Sequence, residues 1–187
     1  MATHLALLRG INVGGHHQLP MAQLREIVAG LGHTDIDTYI QSGNVVFTPG
    51  QQRSPAQHAT VLQDALAQAC DFAPVVVVRT AKEWADLVAA DPYPAAADPK
   101  QVHLAVQQEP VTDKQRTVLE RLLREHQDAG GPDHLTALGC TTYLHTPEGM
   151  GHSRLAERLA RTRGAGQDQA TARNRASAGR LLEMLKG

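Results

Sequence analysis

Apolar positions over the first eighty residues change period repeatedly, and each change marks an element. Thr3–Leu8 ends in the apolar run Leu-Ala-Leu-Leu, which predicts a buried strand closing at Arg9-Gly10. After Ile11–Gly15, Pro20 suits a first helical turn. Met21, Leu24, Ile27, Val28 and Leu31 then fall on one helical face, with Gly32 as the stop. Asp35–Ile40 and Val45–Thr48 are β-rich and flank Gln41-Ser42-Gly43-Asn44, which predicts a hairpin with a four-residue loop. Ser54-Pro55 opens a second helix with Val61, Leu62, Ala65, Leu66 and Ala69 expected inward, and Pro74–Arg79 is a valine-rich strand. The order is βαββαβ, a ferredoxin-like split βαβ unit.

The second half repeats most of this order. Thr80-x-x-Glu83 and Thr112-x-x-Gln115 are capping boxes opening helices that carry Trp84, Leu87 and Val88, and Val118, Leu119, Leu122 and Leu123. Val102–Val106 is a strand, and His134–Leu138 with Thr142–His145 forms a hairpin around Gly139-Cys140. Ser153 caps a fifth helix, and Arg173–Leu185 is expected as a sixth. Asp91–Lys100, rich in Ala and Pro, is the most linker-like stretch. The expected fold is α+β: two ferredoxin-like (split βαβ) units with antiparallel sheets plus a C-terminal helix, divided as 1–80 and 81–187. Leu24, Ile27, Val76, Val78, Leu119 and Leu122 are the expected core, and Trp84 fits it by helical spacing.

Composition narrows the function classes. The 187 residues carry 18 Lys+Arg against 19 Asp+Glu, with 42% apolar and only 3% aromatic positions, so a disordered chain is excluded. No apolar run approaches the roughly 20 residues of a membrane span, and no leader pattern follows Met1. Cys70 and Cys140 are too few for a disulfide framework and suit a reducing cytoplasm. Residues 151–187 hold eight basic against three acidic side chains, leaving an acidic body. With so few aromatics, docking of this tail onto the body is favoured over a grip on nucleic acid.

The candidate chemistry gathers at one edge. In a split βαβ unit the first strand lies beside the third, so Arg9–Gly15, the turn Gln41–Asn44 and the start of the first helix should meet. Gly10, Gly14, Gly15 and Gly43 there permit left-handed backbone and close approach of a ligand. A Gly-rich loop before a helix N-terminus is an anion cradle, to which Arg9 adds a cation and Asn12, Gln41, Ser42 and Asn44 add polar groups. The same residues also suit pure loop architecture, with the glycines turning the chain and the Asn side chains satisfying backbone. From the second half, Arg173 and Asn174 are expected to close the site. No GxSxG, Cys-His, HExxH or nucleotide-loop spacing occurs, so no catalytic residue, metal ligand or cofactor is assigned. The leading expectation is binding, with turnover left open, of a small anionic or phosphorylated metabolite. The alternatives are single-stranded nucleic acid on an open sheet face, with Tyr39 and Phe47 as stacking candidates, and a protein-interaction scaffold.

Two of these stretches, Leu7-Leu8-Arg9-Gly10-Ile11-Asn12-Val13-Gly14-Gly15 with Pro20-Met21 and Thr38–Phe47, carry a resemblance to a known group. The chain resembles the bacterial "domain of unknown function 1697" family. A third family motif, T-x-R-N-W-x-T, is matched only as Thr171-Ala172-Arg173-Asn174, with Arg175 in the aromatic place and Ser177 in the Thr place. The resemblance implies two α/β subdomains and a cytosolic setting, and it implies no activity.

Overall fold

In a computed structural model, residues 1–186 are described. The chain forms two compact units, Met1–Asp86 with the chain from Gly179 on, and Leu87–Ala178. The first unit runs β1 (His4–Leu8), α1 (Met21–Gly30), β2 (Thr34–Thr38), β3 (Asn44–Thr48), α2 (Pro55–Ala69) and β4 (Val76–Thr80), followed by α3 (Ala81–Ala89). The second runs β5 (Val102–Gln107), α4 (Asp113–Asp128), β6 (His134–Leu138), β7 (Thr141–His145), α5 (Arg154–Arg161) and β8 (Ala170–Asn174), followed by α6 (Arg175–Lys186). The sheets have strand orders β2-β3-β1-β4 and β6-β7-β5-β8, antiparallel throughout. The two orders map onto each other strand for strand, so the expected α+β fold of two ferredoxin-like units is the fold of the chain.

Local chemistry explains most element ends. Ser54 with Gln57 and Thr112 with Gln115 form reciprocal capping boxes, and Thr80 with Glu83 does the same ahead of α3. The expected core is buried at Leu24, Val76, Val78, Leu119 and Leu122, while Ile27 is half-buried at its margin. Trp84 is fully buried.

Three local expectations change. The sixth helix starts at Arg175, not Arg173, because residues 170–174 form β8, with Leu104↔Arg173 and His103↔Asn174 in register on β5. Pairing with the free edge of β5 supplies backbone hydrogen bonds that a helical start would forgo, and it completes the second βαββαβ unit. The second strand ends at Thr38, since Ile40 turns out of the sheet at φ 48°. On α2, Ala69 is exposed, whereas His58, Ala59, Leu62 and Leu66 form the buried stripe. The linker-like stretch is held within its own unit: Arg175 Nε donates to Asp91 Oδ2 (2.5 Å), and its other nitrogens donate to the carbonyls of Ala96 and Tyr93.

His58 brings an imidazole cluster into the first core. His33 stacks on Phe47 with ring centroids 4.7 Å apart, and His58 meets the His33 and His4 rings edge-on at 5.3 and 5.5 Å. His58 is 2% exposed, and neither of its ring nitrogens has a hydrogen-bond partner. Burial, reinforced by His33, His4 and Arg53, pulls its pKa down to about 4; burial also lowers His33 and His4, the latter opposed by Glu83. A histidine in the unfolded chain binds its proton near pH 6.5, so between these values the unfolded state holds more protons. Stability should therefore fall with pH, by about 2 kcal/mol between pH 7 and pH 5 from His58 alone. Urea unfolding across that range checks this, and a His58→Leu variant should show a flatter profile; equal profiles for the two proteins would refute it.

Candidate functional site

The loop between β1 and α1 is built from left-handed residues: Gly10, Asn12, Gly14, Gly15 and His17 have φ between 50° and 79°. Gly14 and Gly15 are the centre of a two-residue reversal in which His16 N–H donates to the Val13 carbonyl (3.1 Å). Positive φ at both central residues is the hairpin-turn geometry that glycine supplies without steric cost. Asn12 ties this loop down. Its Nδ2 donates to the carbonyls of Leu19 (2.9 Å) and Gln41 (2.8 Å), and its Oδ1 accepts from Leu19 N–H (2.8 Å). The loop after β1, the approach to α1 and the β2–β3 turn are thereby fastened together at one edge.

The turn is equally determined. Asn44 is fully buried, and its Nδ2 donates to the Tyr39 carbonyl (2.8 Å) and to Ser42 Oγ (3.0 Å). The Gly43 carbonyl accepts from Leu8 N–H (2.8 Å). A Cβ on Gly43 would lie 2.7 Å from Leu8 Cβ and 2.8 Å from Ile11 Cδ1, so the turn sits where only glycine fits. Both Asn side chains are bonded within the edge, and Arg9, Gly10, the stretch 13–18 and Gln41 are exposed. His17 places its Nδ1 3.2 Å from the Gly10 carbonyl and stacks on Phe72 at 4.5 Å. α1 opens at Pro20 with no side-chain cap, whereas α2, α4 and α5 are capped by Ser54, Thr112 and Ser153.

Arg173 and Asn174 belong to the second unit. Arg173 is 7% exposed and donates to Thr171 Oγ1 (2.8 Å) and to the Ala172 carbonyl (2.7 Å); burial draws its pKa down to about 10. Asn174 caps α6, its Oδ1 accepting from Ser177 N–H (2.8 Å). Arg79 is the counterpart that sequence reading passed over. It occupies the same fourth place in β4, pairs with Leu5 as Arg173 pairs with Leu104, is buried, and donates to the carbonyl before it (2.8 Å). The signal was present: Arg-Thr at 79–80 and Arg-Asn at 173–174 each end a strand on a helix-capping residue.

A model described as "Protein of unknown function (DUF1697)" matches residues 1–132. The chain belongs to the DUF1697 family. The matched span holds β1 to α4 with both motif loops, and it ends before the Arg173-Asn174 segment. Among solved structures, the chain is similar to the conserved bacterial protein SP0830 from Streptococcus pneumoniae. The identity is 21%, 98% of each chain is covered and the TM-score is 0.75. That likeness shows a shared fold. No curated protein matches the chain.

Two further observations bear on what this family member can do. Phe47 is 1% exposed, and Leu5, Leu7, Val46 and Val77 on the opposite face of the same sheet are also buried. Phe47 is therefore packed inside its unit and does not offer its ring for base stacking. No described helix is long and apolar enough to cross a membrane.

In the second unit, a cavity of about 460 Å³ lies between the end of α4, the 129–133 loop and the start of α5. His126 and Asp133 line it and are buried, with the buried Ser153 bonded behind them. Ser153 Oγ donates to Asp133 Oδ2 (2.8 Å), and His126 Nε2 lies 3.1 Å from the same oxygen. The carboxylate, rather than the imidazole, stands against the hydroxyl, and Ser153 Oγ also accepts from Ala156 N–H (2.9 Å). A nucleophilic serine needs a base in that place, so the trio acts as a staple between helices.

Proposed function

We propose that the edge formed by Arg9–Gly15, the 41–44 turn and the start of α1 binds a small anionic metabolite, phosphate-bearing by preference. The observation that carries this reading is the uncapped start of α1, which Asn12 fastens beside the Arg9 loop through Leu19 and Gln41. Unspent N–H groups and the positive end of the helix dipole favour negative charge there. Arg9, exposed in the same loop, supplies a cation able to pair two phosphate oxygens. Asn12 and Asn44 shape the edge rather than touch the ligand, since their amides are bonded to backbone.

Inorganic phosphate should raise the melting temperature of the chain, and Arg9→Ala should lose most of that rise when each protein is read against its own phosphate-free melting temperature. In the parent, amide resonances of Gly14, Gly15, Met21 and Ala22 should shift with phosphate. An equal rise in both proteins, or shifts confined to other residues, would defeat the reading.

A further inference from the structure

The cavity of about 460 Å³ in the second unit has unspent polar groups on its walls. Asp133 lines it and is 2% exposed; its Oδ2 is taken by the Ser153 hydroxyl (2.8 Å) and the His126 ring (3.1 Å). The other carboxylate oxygen, Oδ1, has no hydrogen-bond partner among the described residues. Nor is it sealed off. Among the described residues, side-chain polar atoms that are both inaccessible and unpartnered occur on His58 and His103 alone. Asp133 Oδ1 therefore reaches open space, and the space that Asp133 borders is this cavity. Glu148, His152 and Arg154 line it as well. All three are exposed, and none forms an ion pair or a side-chain hydrogen bond with another described residue. Glu148 and Arg154 thus bring opposite charges to one cavity without pairing with each other.

These features select an occupant. The volume falls within the roughly 300–1,000 Å³ of small-molecule sites. A buried carboxylate with an open oxygen, joined by Glu148, favours a cation, because charge-assisted hydrogen bonds are the strong ones and an unmatched buried charge is costly. Among the described residues no three His, Cys, Asp or Glu side chains are grouped to hold a metal ion. The fitting cation is then an ammonium group, which donates three hydrogen bonds. Arg154 sets the other half of the requirement, since a guanidinium opposes a bare amine and grips a carboxylate through two parallel bonds. We propose that this cavity binds a small zwitterion of the amino-acid type, its ammonium group held by Asp133 Oδ1 and Glu148 and its carboxylate by Arg154. A simple amine would leave Arg154 unmatched, and a simple acid would meet two carboxylates of its own sign. The site is built from second-unit residues alone, so it stands independently of the anion-binding edge.

L-Glutamine, titrated into the full chain, tests this against two truncated forms. One is 4-aminobutanamide, which lacks the carboxylate, and the other is 4-carbamoylbutanoate, which lacks the ammonium group. Glutamine should shift the amide resonances of Gly130, Gly131, Glu148 and Arg154. Each truncated probe should bind about tenfold or more weakly than glutamine, on the order expected for one lost charged contact. Glu148→Gln should weaken glutamine about tenfold and leave 4-carbamoylbutanoate no weaker, whereas Arg154→Gln should weaken glutamine as much and leave 4-aminobutanamide no weaker. Both side chains are exposed and unpaired, so neither variant should lower the melting temperature. Glutamine binding no tighter than either truncated probe, full glutamine affinity in either variant, or no shift of cavity resonances with glutamine would overturn the proposal.

Discussion

Asp133→Ala should destabilise the chain by about 2 kcal/mol, the range for losing a buried hydrogen bond to a charged group. The carboxylate is 2% exposed and joins two elements: the Ser153 hydroxyl at the start of α5 donates to it, and the His126 ring at the end of α4 lies against it. Without it, the buried Ser153 hydroxyl loses its acceptor and the cap of α5 the group that orients it, while His126 Nε2 keeps the bond donated by the Asp133 backbone N–H (3.3 Å). Asp133→Asn keeps the shape and an acceptor oxygen, so it should cost about half as much. Urea unfolding of the two variants at pH 7 provides the measurement. A loss below roughly 1 kcal/mol for Asp133→Ala would show that the trio is not a staple.

Gly50→Ala should cost on the order of 3 kcal/mol, for a different reason. A Cβ at Gly50 would lie 1.9 Å from the Gly32 carbonyl oxygen and 2.8 Å from its carbon, both backbone atoms that no rotamer change can move away. Gly50 N–H also donates to His33 Nδ1 (3.2 Å), so displacing this strand exit disturbs the imidazole cluster as well. Gly30, at the end of α1, is the internal control. Nothing lies within 4 Å of its missing Cβ, and Gly30→Ala should be neutral or stabilising by about 0.5–1 kcal/mol. Comparable losses for both variants would mean that glycine flexibility, and not the close approach, governs the Gly50 position.

The candidate edge was legible in its position but not in its detail. The split βαβ order places the Arg9–Gly15 loop beside the 41–44 turn, and the bond from Asn12 to Gln41 joins them. Which way each polar side chain is spent could not be read, because an Asn amide forms the same hydrogen bonds with a ligand as with a carbonyl. The positive φ of Gly14, Gly15 and Gly43 was expected from the need to reverse the chain in few residues. The positive φ of Asn12 and Ile40 was not, since Ile rarely adopts it and nothing local demands it. His58 was equally hidden: its place on the buried stripe of α2 follows from helical period, yet a histidine reads as polar.

Near-neighbour physics determined the rest of what the sequence alone made plain. Apolar periodicity set the two repeated helix-and-strand orders, and Ser54, Thr112 and Thr80 set helix starts, because caps and amphipathic faces act within about a turn. Tertiary structure decided what depends on residues far along the chain. Ala170–Asn174 has no strong strand pattern and became β8 only because the edge of β5 offered it backbone partners. Arg79 and Arg173 are buried because of the strands that hold them, and Gly50 is forced by the carbonyl of Gly32. Each is a contact across distance, and such contacts leave no local period for a sequence to display.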